Sequence, residues 1–211
     1  MRRWSVDRGF LFSTVQTVQY RPAGIVSIVK TSPTRDRILD ALQDILIEEG
    51  NSAVTLEAVA AAAGVSKGGL LYHFPSKAAL MTGLVKRLAD RAQDEFREAT
   101  ESEEGVVRTF LRTSIPESRE EAELYWSIIA ALRSKEDMSE ESERLVRQLF
   151  DEWSRLLHEE VGDPVLAETI RLVGDGLYLS SIAGLSLPDT QVLTQLTDRL
   201  IAQVEAARNR D

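Results

Sequence analysis

The sequence predicts an all-α protein: an N-terminal three-helix helix-turn-helix domain followed by a larger C-terminal helical domain. Three observations carry that prediction. From Thr34 onward apolar residues recur at spacings of three and four, the period of an α-helix. Most of these runs open on Ser, Thr or Asp and close at Gly or ahead of Pro, the residues that start and stop helices. Residues 55–77 then read TLEAVAAAAGVSKGGLLYHFPSK, in which an alanine-rich amphipathic segment stops at Gly64, Ser66 restarts a helix, and Pro75 and Ser76 break it again. Glycine takes the left-handed conformation that ends a helix, and a serine hydroxyl accepts from the free amides that open the next one. The turn is written in local chemistry.

Taken in order, Thr34 is expected to cap a first helix whose apolar positions are Ile38, Leu42, Ile45 and Leu46, ending at Gly50. Thr55, Ser66 and Ser76 cap the second, third and fourth. The third, about 66–74, is too short and too apolar to stand alone and needs its neighbours. Leu70 and Phe74, four apart, face the core with Val59 and Val65, which leaves Lys67, Gly68, Gly69, Leu71, Tyr72 and His73 on or near the outer side. The fourth, about 76–100, carries Leu80, Leu84, Leu88, Ala92 and Phe96 in one stripe and passes from the first domain into the second. With no flexible linker in between, it can act as a lever.

Five more helices are expected beyond it. They run from Gly105 to about Thr113, from Arg119 to about Leu132, from Ser139 to about Glu160, from Asp163 and Pro164 to Gly184, and from Pro188 and Asp189 onward. Pro at a first helical turn is favourable. The seventh presents Leu145, Leu149, Trp153, Leu156 and Leu157, and the last presents Val192, Leu196, Leu200, Ile201 and Val204. The expected divisions are 1–33, 34–80 and 81–211. The first segment is basic and aperiodic, with Pro22 and Gly24 in its middle. Its basic character would suit a phosphate-contacting arm, while charges and glutamines interrupt the apolar run that a signal peptide needs. It reads instead as a tail without fixed structure, or as a start assigned too far upstream.

The outer face of the third helix suits DNA. An α-helix fits the major groove, a lysine and a helix amino end can meet phosphates, and a leucine can touch a thymine methyl. Gly68 and Gly69 each cost a helix about 1 kcal/mol relative to alanine, which close backbone approach to a duplex would offset. The stretch GVSKGGLLYHFPSKAAL resembles the DNA-binding signature of the TetR family of bacterial transcriptional repressors, most specifically in Tyr72-His73-Phe74 followed by Ser76-Lys77. The resemblance covers roughly residues 34–84. It implies that Thr55, Ser66, Lys67, Gly68, Tyr72, His73 and Lys77 contact DNA, mostly at phosphates; the reading of the helix face adds Gly69 and Leu71. It also implies that the last two long helices pair with their copies in a second subunit as a four-helix bundle. DNA logic agrees with a homodimer, since one short helix reads few bases and two-fold dimers read half-sites ~34–36 Å apart. Gly174, Gly176, Ser180, Ala183 and Gly184 are small enough to allow close approach along the eighth helix.

Composition sets the outer bounds. The chain has 211 residues, 43% hydrophobic and 28% charged, enough to bury a core without suggesting disorder throughout. A formal charge of −9 argues against a surface that coats nucleic acid everywhere, yet leaves room for a local basic patch of Lys67, Lys77, Arg35 and Arg37. With no cysteine, disulfides and thiolate metal sites are excluded, and a cytoplasmic setting is permitted. No apolar run approaches the ~20 residues of a membrane-spanning helix, so no membrane partner is expected. The two histidines have no glutamate three positions before them, and no phosphate loop, metal-ligand pair or serine elbow appears. Catalysis and cofactors are not expected.

A small-molecule effector is the second function to weigh. Phe110, Tyr125, Trp126, Met138, Trp153 and Tyr178 supply flat or soft apolar surface that either lines a site for hydrophobic or cationic aromatic compounds or fills the core. Asp175 lies between Gly174 and Gly176 in an apolar helix, where it recognises a cation, pairs with an arginine such as Arg171, or points to water. The Asp-Gly-Leu-Tyr segment resembles a multidrug-responsive branch of the TetR family. Two alternatives stay open: a regulator answering to a protein partner, and a helical interaction protein that does not bind DNA.

Overall fold

A computed structural model describes residues 33–132 and 138–209; the N-terminal extension expected at 1–33 lies outside them but for Pro33. Among the described residues are nine α-helices, one turn of 3-10 helix at Asn51–Ala53, and no strand. The helices are α1 (Pro33–Glu48), α2 (Leu56–Ala62), α3 (Lys67–His73), α4 (Lys77–Glu101), α5 (Gly105–Thr113), α6 (Arg119–Ala131), α7 (Glu140–Val161), α8 (Pro164–Ile182) and α9 (Thr190–Arg208). The expected start of α1 needs a correction: Thr34 sits inside the first turn and Pro33 opens it, because proline's fixed φ suits a first turn that needs no N–H. Elsewhere the cap chemistry works as read. The side chains of Thr55, Ser66, Ser76, Ser139, Asp163 and Asp189 each accept from an amide of the first turn of the helix they open.

Two apolar clusters hold these helices. The first gathers Leu39, Leu42 and Leu46 of α1, Val59 of α2, Leu70 and Phe74 around α3, and Leu80, Met81 and Leu84 of α4. It is completed by Leu124, Ile128 and Ala131 of α6, and by Met138 just ahead of α7. Met138 therefore does not join the aromatic side chains with which the sequence grouped it; it is buried against the helix-turn-helix. The second cluster joins Phe96 and Ala99 at the far end of α4 to Val106, Phe110 and Leu111 of α5, Leu156 and Leu157 of α7, Ile170 of α8, and Leu200 and Val204 of α9. Helix α4 is buried in both clusters, and α7 packs Leu145 and Val146 on the first and Leu156 and Leu157 in the second, so a shift of one end of either helix is felt at the other.

Two further connections tie the body to the helix-turn-helix. Ser127 Oγ on α6 donates to the carbonyl of Leu46 on α1 at 2.9 Å. At the start of α7, Ser139 and the fully buried Ser142 lie 2.8 Å and 2.9 Å from Thr82 Oγ1 on α4, and 3.0 Å from each other. Buried hydroxyls are costly unless hydrogen-bonded, so this triad fixes the register of α7 against α4.

No helix of the described residues is long and apolar enough to cross a membrane. One apolar stripe remains outside. Val165, Leu172 and Leu179 recur every seven residues along α8 and are 75%, 61% and 55% exposed, with Val192 of α9 also exposed.

Candidate nucleic-acid interface and effector region

The turn between α2 and α3 closes by backbone bonds that only a left-handed residue permits. Gly64, at φ +63°, lets its own N–H donate to Ala61 O at 3.1 Å and the N–H of Val65 donate to Ala60 O at 3.0 Å. Val65 then packs on the first cluster while Ser66 opens α3. Within α3, Leu70 is fully buried and Phe74, which follows the helix, nearly so. On the opposite side Tyr72 is 86% exposed and Leu71 37%. His73 stands edge-on to the Tyr72 ring at 5.2 Å, half-buried at the end of the helix.

The remaining residues expected at DNA are distributed over three helix starts. Thr55 and Ser66 are exposed, and each hydroxyl oxygen accepts from an amide, Ala58 N and Gly69 N respectively, at 3.0 Å. Such a hydroxyl keeps its own proton free to donate to a phosphate. Gly68 is exposed, and a Cβ on Gly69 would sit 3.3 Å from Ser66 Oγ, so glycine there leaves room for the cap. Lys67 Nζ pairs with Glu57 at 2.6 Å, and this hydrogen bond and charge hold the Glu57 carboxyl below the usual carboxylate range. Both side chains are exposed, so water screens the pair and Lys67 can exchange its partner for a phosphate. Lys77 Nζ donates to Asn51 O at 3.2 Å, which sets the start of α4 beside the turn that precedes α2.

The residues expected at an effector fall into two groups and two outliers. Phe110 and Trp153 lie 5.3 Å apart, with Phe96 on the other side of the Trp153 ring at 5.0 Å, inside the second cluster. Tyr125 and Tyr178 lie 6.0 Å apart in a separate group, which Phe150 joins edge-on at 6.2 Å from Tyr178. Trp126 points outward, 44% exposed, because it follows Tyr125 on α6 and is turned about 100° from it. Asp175 takes the arginine among its three options: Arg171 Nη1 donates to it at 2.6 Å and also reaches Glu168 at 2.7 Å. Burial nonetheless raises the Asp175 carboxyl above its ordinary range, outweighing Arg171. Among the described residues no group of acidic or histidine side chains could hold a metal.

The family description "Bacterial regulatory proteins, tetR family" matches residues 38–84, and "Tetracyclin repressor-like, C-terminal domain" matches residues 104–205. The chain belongs to the TetR family. The HTH-type transcriptional regulator AlkX of Mycobacterium tuberculosis is 36% identical over 92 residues, a match spanning 40% of this chain and 44% of AlkX. This TetR-family chain therefore aligns with less than half of that relative. Solved structures match far more of it. Salmonella enterica GusR superposes with a TM-score of 0.61 at 23% identity, covering 83% of this chain and 98% of GusR. The multidrug binding protein EbrR in complex with malachite green gives 0.61 at 21% identity, covering 79% and 96%. Identities this low speak for the fold.

Several residues that shape this TetR-family site carry no local signal. A Cβ on Gly83 of α4 would fall 2.5 Å from the Phe74 ring, so Gly83 is what lets α4 seat the end of α3. Arg87 of α4 binds Asp40 and Gln43 of α1, locking the first helix to the fourth. Glu121 of α6 accepts from the Tyr125 hydroxyl at 2.8 Å, and burial first, then the charges of Glu121 and Glu95 of α4, raise that hydroxyl's proton affinity. Glutamates at helical positions read as solvated charge in one dimension, and only the burial of Tyr125 in the fold makes these two matter to it.

Proposed function

We propose that the protein is a homodimeric transcriptional repressor that binds a double-stranded DNA operator through its helix-turn-helix and is released by a small hydrophobic or cationic effector. The observation that carries the DNA half is the sidedness of α3: Leu70 and Phe74 anchor it, while among the described residues little covers Tyr72, and Leu71 reaches the surface beside it. A large exposed aromatic on a seven-residue helix costs hydration and contributes no packing, which a binding partner would repay. Each subunit places Ser66 to His73 in a major groove, with Thr55, Lys67 and Lys77 at phosphates. Gly68 and Gly69 let the backbone come close. Residues 34–80 act as the reading unit and 81–211 as the effector and dimerisation unit.

What supports effector control is the build of α6. One side of it, at Leu124, Ile128 and Ala131, lies in the core of the helix-turn-helix, and Ser127 is bonded to α1. Tyr125 of the same helix meets Tyr178 of α8. A displacement of Tyr125 by a ligand is therefore one helix away from α1, and α4 and the Thr82–Ser139–Ser142 triad carry it as well. Effector and operator then oppose each other reciprocally. EbrR, which shares this fold, is a multidrug binding protein solved in complex with malachite green, and a flat organic cation is the corresponding probe for this chain.

A footprint on the DNA flanking the gene, repeated with lipophilic cations, tests both halves; absence of any salt-dependent protection removes the DNA half. Tyr72→Ala is expected to weaken operator binding roughly tenfold per subunit, the scale of one hydrogen bond to a charged group, while leaving the melting temperature unchanged. Unchanged affinity in a gel shift would take Tyr72 off the interface.

A further inference from the structure

The two helices of the motif are joined on their exposed side by a pair of opposite charges. Lys67, at the start of α3, donates from Nζ to Glu57 Oε1 in the first turn of α2 at 2.6 Å, across the turn that Gly64 makes. The fold does not need this pair. Val59, Val65 and Leu70 already pack α2 and α3 into the first cluster, while the Lys67 and Glu57 side chains are 56% and 65% exposed, where an ion pair adds little to stability.

Its place bears on a ligand instead. A phosphate that reaches the Lys67 ammonium meets a carboxylate already seated on it, and the two anions accept from the same N–H donors while repelling each other. A lysine paired with a glutamate also brings no net charge to a duplex, so it neutralises nothing of the phosphate backbone until the pair opens. Glu57 stands where a competitor would stand.

We propose that Glu57 is an internal stand-in for DNA phosphate: it occupies Lys67 in the free protein, must release it on a duplex, and so lowers the affinity of the helix-turn-helix for DNA of any sequence. The proposal rests on the DNA reading above and specifies how that site is restrained. No covalent bond changes; an ion pair within the chain gives way to one with the backbone of the duplex. Binding to arbitrary DNA, which charge alone supplies, is thereby kept weak, whereas an operator also offers base edges to the outer face of α3.

Glu57→Gln tests this on the full chain, by fluorescence anisotropy with a labelled duplex from the footprinted region and one of arbitrary sequence over a series of salt concentrations. The variant is expected to bind both about two- to fivefold more tightly per subunit, the scale of an exposed ion pair. Its plot of log affinity against log salt should be steeper by about 0.9 per subunit, the value of one more phosphate neutralised. In a Lys67→Gln background the same substitution should gain less, because only general repulsion between Glu57 and DNA is then relieved. Melting of Glu57→Gln should match the parent.

A measurement on the unmodified chain needs no variant. In the free protein the Lys67 hydrogen bond, first, holds the Glu57 carboxyl below the usual carboxylate range. With duplex bound, the carboxyl loses that donor and gains a phosphate neighbour, so carbon-13 NMR should show it titrating at higher pH. Unchanged affinity and salt slope in Glu57→Gln, a gain of equal size with and without Lys67, or a carboxyl that titrates alike free and bound overturns the exchange and leaves the DNA reading standing. No binding of parent or variant to either duplex at the lowest salt overturns both.

Discussion

Leu172→Glu is expected to convert the protein to a folded monomer that holds a two-half-site operator ~10²–10⁴-fold more weakly than the parent, the range over which linked binding exceeds single binding. Val165, Leu172 and Leu179 stand two turns apart on α8 and are exposed at 75%, 61% and 55%. Residues at that spacing share one face of a helix, and a face this apolar is uncommon on a surface meant to stay wet. Gly176 lies on the same side, exposed, with nothing within 4 Å of where a Cβ would stand, so a partner helix could approach closely there. A glutamate in the middle of that stripe would place a charge between two apolar surfaces with no partner, which costs several kcal/mol per ion. The mutation touches no core residue of the single chain, and the circular dichroism spectrum should keep its helical signature. Sedimentation equilibrium decides the question: a dimer of unchanged affinity would place the subunit contact elsewhere.

Gly174→Val is expected to lower the melting temperature by roughly 6–12 °C, from a cost of about 3 kcal/mol at ~2–4 °C for each kcal/mol in a domain of this size. Even a single Cβ at Gly174 would lie 2.3 Å from Phe110 Cε1, 2.5 Å from its Cζ and 2.8 Å from Ser114 Oγ. Phe110 cannot swing aside, because it is 5% exposed and wedged against Trp153. Helix propensity alone would favour replacing this glycine, and the effect is opposed by a larger one, the overpacking of α8 on α5. The loss should persist in the Leu172→Glu background, since both partners of the clash lie in one chain. Equal melting of parent and variant by calorimetry would show that α5 and α8 separate more easily than their packing implies.

These two residues mark where the sequence was legible and where it was not. Gly174 and Gly176 carry the same chemistry two positions apart, and by sequence both are sites of close approach. In the fold, Gly174 takes up Phe110 of its own chain and Gly176 faces outward. Met138 reads by sequence as a companion of the aromatic residues of the body, and the fold buries it in the cluster of α1, α4 and α6. Glu121 carries no local signal of a partner, and the fold sets it within a hydrogen bond of the Tyr125 hydroxyl. By contrast, the caps at Thr55, Ser66, Ser76, Ser139, Asp163 and Asp189 and both faces of α3 are legible directly, because each depends on residues within four positions of one another.

The sequence by itself determined an all-helical chain, the start of nearly every helix, and a recognition helix with Leu70 and Phe74 inside and Tyr72 outside. Those features follow from hydrogen bonds and side-chain directions that close within a single turn. Only the tertiary structure decided that α6 completes the core of the helix-turn-helix, that Gly83 receives Phe74 and Gly174 receives Phe110, and that Tyr125 of α6 meets Tyr178 of α8. Such contacts join residues far apart in the chain, and their energies depend on distances that no local spacing records.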